Sequence, residues 1–105
     1  MTMADDKKTI VLALTGASGV QYGARLLEIL LQEQHKVYLL VTKAAQVVIK
    51  METELNWPAD TQTLQKFLSE RYSAAENLLK VCGENEWAAP IASGSATVDA
   101  MVVCP

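Results

Sequence analysis

A chain of 105 residues holds one small domain or a part of a larger one. Half of it is hydrophobic and a fifth is charged, with a mean hydropathy of +0.14, too apolar for a disordered chain. Nine Lys and Arg against twelve Asp and Glu give a net charge of −3, and no basic stripe exists to neutralise phosphates, so a nucleic-acid surface is excluded.

The first eight residues are polar and charged. The apolar run that follows, residues 10–14, is too short for a signal-peptide core. No run reaches the roughly 18 apolar residues of a membrane-spanning helix, so the expectation is a cytoplasmic protein without a membrane span. Residues 9–14 (TIVLAL) are continuous, apolar and rich in β-branched side chains, the pattern of a strand buried on both faces of a parallel sheet. The run breaks sharply at Thr15-Gly16-Ala17-Ser18-Gly19. Leucines 26, 27, 30 and 31 then recur at helical spacing and predict a helix over residues 20–34. Gly23 in its first turns suits close packing onto the sheet.

After a polar turn, residues 37–41 (VYLLV) predict a second buried strand, completing a βαβ unit with parallel strands and a right-handed crossover. A second helix is expected from Thr42 or Lys43 through Met51, closed by Asn56-Trp57-Pro58 because Pro58 disfavours helix at the residue before it. Residues 61–72 predict a third helix with Leu64, Phe67, Leu68 and Tyr72 on one face. Residues 78–82 (LLKVC) read as a short third strand, 84–97 as irregular, and 100–104 (AMVVC) as another buried strand. The fold class is therefore α/β, a parallel sheet with flanking helices. A strand of the last kind normally feeds another helix, so residues 1–105 read as the N-terminal part of a single, larger domain.

The strongest local signal is TGASG between a buried strand and a helix. Glycines allow a tight turn and close backbone approach, and helix N-terminal amides favour anions. The spacing is neither the G-x-G-x-x-G of dinucleotide folds nor a P-loop. The pattern leaves open whether Ser18 faces a ligand or caps the helix. Thr42, at the carboxyl end of the second strand, faces the same choice. Glu52 and Glu54 are candidate acids or bases, although most such glutamates are solvated. Ala92-Ser93-Gly94-Ser95 offers small residues and free donors that suit a phosphate, or a plain loop. Trp57 and Trp87 are expected in core or interface, and His35, in a turn, is not expected to be catalytic. Cys82 and Cys104 are far apart, form no CxxC, and with one histidine in the chain give no zinc site; the expectation is no metal.

Taken in order, TGASGVQYGARLLEIL, VTKAAQVV, METE at residues 51–54, ASGS at 92–95 and the closing MVVCP resemble the UbiX-type flavin prenyltransferases. The resemblance implies an FMN-binding flavodoxin-like or Rossmann-like fold assembled as a homo-oligomer. It implies transfer of a dimethylallyl group from dimethylallyl phosphate to reduced FMN, at N5 and then C6. The product would be the prenylated flavin used by UbiD-type decarboxylases, for example in ubiquinone synthesis. Carried over by position, Gly16, Ala17 and Ser18 form the first flavin loop, with Ser18 near flavin N5. Thr42 keeps the hydroxyl of an FMN-contacting serine. Glu52 is an acidic residue implicated in proton transfer. Ala92, Ser93 and Gly94 lie near the prenyl-phosphate site. The resemblance also implies a longer protein, whose continuation beyond Pro105 carries a further FMN loop and the Arg, Lys, Glu and Tyr residues that grip cofactor and phosphate.

Two other readings stand beside it. One is an FMN-dependent, cysteine-type decarboxylase of the same fold, which would need an early catalytic histidine. The other is a catalytically incomplete flavin-binding or assembly fragment.

Overall fold

The computed structural model describes residues 8–16, 19–52, 56–74, 77–83 and 98–104, residue 52 by its backbone alone. The described residues form four strands and three helices, in the order β1 (Thr9–Leu14), α1 (Val20–Gln32), β2 (Lys36–Val41), α2 (Lys43–Glu52), α3 (Thr61–Arg71), β3 (Leu79–Cys82) and β4 (Ala100–Cys104). The strands form one parallel sheet in the order β3-β2-β1-β4. This is the expected α/β class. The stretch expected to be irregular, 84–97, lies outside the described residues.

Strand alternation divides the apolar residues between the two faces of the sheet. Leu12 and Leu14 of β1, Val37, Leu39 and Val41 of β2, and Leu79 and Val81 of β3 share one buried core with Val20, Leu27 and Leu31 of α1, Ala45 and Ile49 of α2, and Leu64 and Leu68 of α3. All three helices therefore cover the same face. A right-handed crossover produces this result when β1, β2 and β3 are laid down in one direction. Tight contact between α1 and the sheet depends on Gly23, where an added Cβ would collide with Leu14. The predicted packing role of this glycine is thus realised.

Polar side chains fix register and boundaries. Asp99 and Thr9 exchange two bonds, Thr9 N–H to the carboxylate at 2.8 Å and Asp99 N–H to the Thr9 carbonyl at 2.8 Å, which align the starts of β4 and β1. Helix α1 stops at Gln32, before the expected residue 34, because Gln34 turns left-handed at φ 63°. His35 N–H then donates to Leu30 and Gln34 N–H to Leu31, both at 3.0 Å, the Schellman closure. Asp60 caps α3 by accepting from the Thr63 amide at 2.9 Å and the Thr63 hydroxyl at 2.9 Å.

Candidate functional site

In open parallel sheets a crevice forms outside the carboxyl ends of the strands, where successive connections leave in opposite directions. Here that point is β1, which has β2 on one side and β4 on the other. The loop leaving β1 is the glycine-rich segment singled out from the sequence.

Backbone bonds tie three strand ends together at this place. Thr15 N–H donates to the Cys104 carbonyl at 3.2 Å, joining the β1 loop to the end of β4. Thr42 N–H donates to the Leu14 carbonyl at 3.1 Å, joining the start of α2 to the end of β1. Gly16 lies between them at φ +100°, a conformation that L side chains rarely adopt. A Cβ on Gly16 would sit 2.6 Å from the Ala44 carbonyl carbon and 2.6 Å from the Ala45 nitrogen. Its lack of a side chain thus brings the β1 loop onto the first turn of α2. Ala45 is fully buried there.

Thr42 is the N-cap of α2: its hydroxyl oxygen accepts from Ala45 N–H at 3.1 Å, and its carbonyl accepts from Gln46 N–H at 2.9 Å. The cap uses the oxygen as acceptor and leaves the hydroxyl proton to donate elsewhere. Capping and ligand contact, posed as alternatives by the sequence, are therefore compatible at this residue. Helix α1 begins at Gly19, which brings no capping side chain to its first-turn amides. Neither α1 nor α2 has an acidic residue in its first turn. Two helix dipoles thus present their positive ends at the edge of the sheet where the β1 loop emerges, favourable to an anion.

The other expected site residues are placed as follows. The backbone of Glu52 closes α2, and its side chain is outside the described set. Ala17, Ser18, Ala92, Ser93 and Gly94 also lie outside the described residues, as does Trp87. His35 sits at the opposite, amino-terminal end of β2, where its Nδ1 accepts the Lys8 amide at 3.0 Å. Trp57 is half-buried against the core, as expected, with its indole Nε1 buried and without a partner among the described residues. Cys82 is buried and Cys104 half-buried, and the two are not joined in a disulfide. No group of three or more potential metal ligands occurs among the described residues. No helix among them is long and apolar enough to cross a membrane.

A separate cleft of about 550 Å³ opens between α2 and residues 56–59. It holds none of the expected cofactor, substrate or catalytic residues; Trp57, singled out from the sequence, lines it together with Val41, Ile49 and Leu64. What sequence reasoning missed is the part played by Ala44 and Ala45. The only signal for it was a pair of small residues directly after the second strand.

Comparison with known proteins fits this geometry. The sequence profile of the flavoprotein family matches residues 2–105. The flavin prenyltransferase UbiX of Pseudomonas aeruginosa is 52% identical over 96 residues, covering 91% of this chain and 46% of that protein. The UbiX of Alkalihalophilus pseudofirmus is 39% identical, covering 94% of this chain and 48% of its own length. The chain thus spans about half the length of the curated relatives it matches. Among solved structures, AnUbiX in complex with FMN and dimethylallyl pyrophosphate superposes with a TM-score of 0.66 at 31% identity, over 92% of this chain and 44% of that one. A dodecameric FMN-dependent UbiX-like decarboxylase from Escherichia coli O157:H7 gives 0.63 at 28% identity, over 92% of this chain and 45% of its own. A glycine loop at the switch point, a parallel sheet with flanking helices and a profile match along the chain agree: this protein belongs to the flavoprotein family, and within it is similar to the UbiX-type flavin prenyltransferases.

Proposed function

We propose that this chain contributes the first flavin loop and part of the prenyl-donor site of a flavin prenyltransferase, which moves a dimethylallyl group from dimethylallyl phosphate to reduced FMN. The observation that carries the reading is the 52% identity to the P. aeruginosa enzyme across 91% of this chain. The site geometry supports it. Two helix N-termini free of first-turn acids, a loop held by Gly16 and a Thr42 hydroxyl with its proton to give form a donor-rich set that suits an anionic, acceptor-rich cofactor such as FMN. The chemistry FMN supplies when bound and reduced is nucleophilic N5 and C6.

The chain's residues then have distinct tasks. Gly16, Ala17 and Ser18 hold the flavin edge, and Thr42 donates to it from the cap of α2. Glu52 takes up a proton released at the reacting centre. Ala92, Ser93 and Gly94 supply donors to the departing phosphate, which leaves more readily when its charge is met. The product serves UbiD-type decarboxylases, as in ubiquinone synthesis, and the active assembly is a cytoplasmic homo-oligomer. A dodecameric structural neighbour supports the last point.

The test incubates the chain with FMN, a strong reductant and either dimethylallyl phosphate or the pyrophosphate, and identifies flavin products by mass spectrometry. Prenylated flavin supports the proposal. Bound FMN without product indicates a flavin-binding fragment instead. Absence of flavin binding overturns both. The second reading, a decarboxylase, draws on the name of the E. coli neighbour, and would appear as carbon dioxide released from an aromatic acid without any prenyl donor. Its cysteine-type form is disfavoured, because His35 lies at the end of β2 remote from the glycine loop and is engaged with Lys8.

A further inference from the structure

The cleft between α2 and residues 56–59 takes no part in the proposed function. Its lining comes from the stretch between Val41 and Leu64, on the side of the sheet away from β4. On α2 it meets Lys43, Gln46 and Lys50, residues three and four apart on one helix face. Ala44 and Ala45, which pack on Gly16, lie elsewhere around the helix. The cleft and the glycine loop thus occupy different sides of α2. The walls are set in place by short-range structure. Asn56 turns left-handed at φ 57°, and the ring of Pro58 fixes its own φ. Gln46 Nε2 donates to the Ala59 carbonyl at 3.1 Å and ties this segment to α2. A cavity of about 550 Å³ falls within the range of small-molecule sites, roughly 300–1,000 Å³.

The chemistry of the cleft is divided. Val41, Ile49, Trp57 and Leu64 make an apolar and mainly aliphatic floor, continuous with the core. Its charge is of one sign: Lys43 and Lys50 line it, and no Asp or Glu does among the described residues. The two lysines are seven positions apart, about 10 Å along the helix axis. A cation entering the cleft is repelled by this rim. A neutral apolar molecule uses the floor alone. An alkyl chain that ends in an anion uses both. Trp57 supplies a further reason for an acceptor here, since its Nε1 is buried and has no partner among the described residues. A buried donor left unpaired is costly, and an oxygen seated beside it removes that cost.

We infer that this cleft binds a medium-chain alkyl carboxylate, its chain along the floor of Val41, Ile49, Trp57 and Leu64 and its carboxylate at the rim of Lys43 and Lys50. Chain burial supplies the affinity, and the lysines supply the preference for an anion. The site is separate from the flavin loop and does not depend on flavin binding.

The experiment titrates the chain with octanoate, below its micellar range, and with octylammonium, which has the same chain and the opposite charge. The chain has two tryptophans, so Trp87→Phe makes Trp57 the only indole, and its emission reports occupancy. The expected result is a saturable change with octanoate and binding of octylammonium weaker by about tenfold or more. Lys43→Glu combined with Lys50→Glu should weaken octanoate by about tenfold or more and reverse the preference. Lys66→Glu combined with Lys80→Glu makes the same change of net charge on exposed residues outside the cleft, and leaves the preference in place. Circular dichroism confirms that each variant is folded; if one is not, the ratio of the two ions in the Trp87→Phe chain decides. Absence of a saturable response, equal affinity for the two ions, or an octanoate preference that survives both glutamates in the cleft overturns the inference. So does a response that tracks dissociation of a self-associated form by sedimentation, because the cleft then holds a second copy of this chain. FMN is titrated separately: octanoate binding without FMN binding sinks the proposed function and leaves the cleft standing, whereas displacement of FMN by octanoate overturns the separate site.

Discussion

At the scale of single residues, the site rests on two positions with opposite tolerances. Gly16 meets two independent constraints, a positive φ and a backbone-to-backbone approach to Ala44 and Ala45. Backbone cannot step aside as a flexible side chain can. Gly16→Ala should therefore lose more than the roughly 1–2 kcal/mol of left-handed strain alone, measurable by chemical denaturation. A loss below 0.5 kcal/mol, within the ordinary range of surface substitutions, would show that the loop does not lie on α2. At Thr42 the hydroxyl is what counts. Thr42→Val removes the acceptor used by Ala45 N–H and should cost about 1 kcal/mol of stability together with any flavin affinity. Thr42→Ser keeps the oxygen and should retain both. Equal affinity in the valine and serine variants, by flavin fluorescence titration, would remove Thr42 from the cofactor contacts.

At the scale of elements, the helices show which boundary signals a sequence carries. The amino end of α3 was legible as a start at Thr61, and Asp60 is a strong capping residue. Bonds from the Thr63 amide and then the Thr63 hydroxyl hold the Asp60 carboxyl below its ordinary 3.8. A lowered folded value means that this stabilisation is present above the unfolded value and is lost as pH falls through the folded one. The first turn of α3 should thus loosen below about pH 3.8, seen as faster exchange of the Thr63 amide, and Asp60→Asn should abolish that pH dependence. The carboxyl ends of α1 and α3 were less legible. Both close with a residue in the left-handed region, Gln34 at φ 63° and Ser73 at φ 52°, where glycine is the usual signal. Leucine periodicity carried the predicted α1 to residue 34, because nothing in the Gln-rich turn announces a Schellman closure. Gln34→Gly should relieve the strain and gain about 0.5–1 kcal/mol, a rise of several degrees in Tm, despite the added freedom of the unfolded chain.

At the scale of the whole molecule, the four apolar runs announced a parallel sheet, since strands buried on both faces lack alternation. Their order followed only in part. Short connections placed β2 beside β1, but nothing in the run AMVVC states that β4 returns to the free side of β1. That placement depends on burial across the sheet, on the Asp99–Thr9 exchange and on the bond from Thr15 to Cys104, all between residues far apart in sequence. The same return creates the switch point, so the site's position was legible from the glycine loop, whereas its partners at β4 and at Ala44 and Ala45 were not. The order also sets a gradient of protection. Among the described residues, β1 is paired on both sides and β4 on one, with half-exposed Met101 and Val103. Edge amides open by local fluctuation, while those of a central strand exchange only when the core is disrupted. Hydrogen exchange of the isolated chain should therefore be slowest at Val11–Leu14 and markedly faster across 100–104. Leu12→Ala, which empties a fully buried position at the centre of the sheet, should cost about 2–5 kcal/mol and erase the difference by unfolding both strands together. If β4 were protected as well as β1 in the unaltered chain, a second copy would already occupy its edge, and dilution should then restore the gradient.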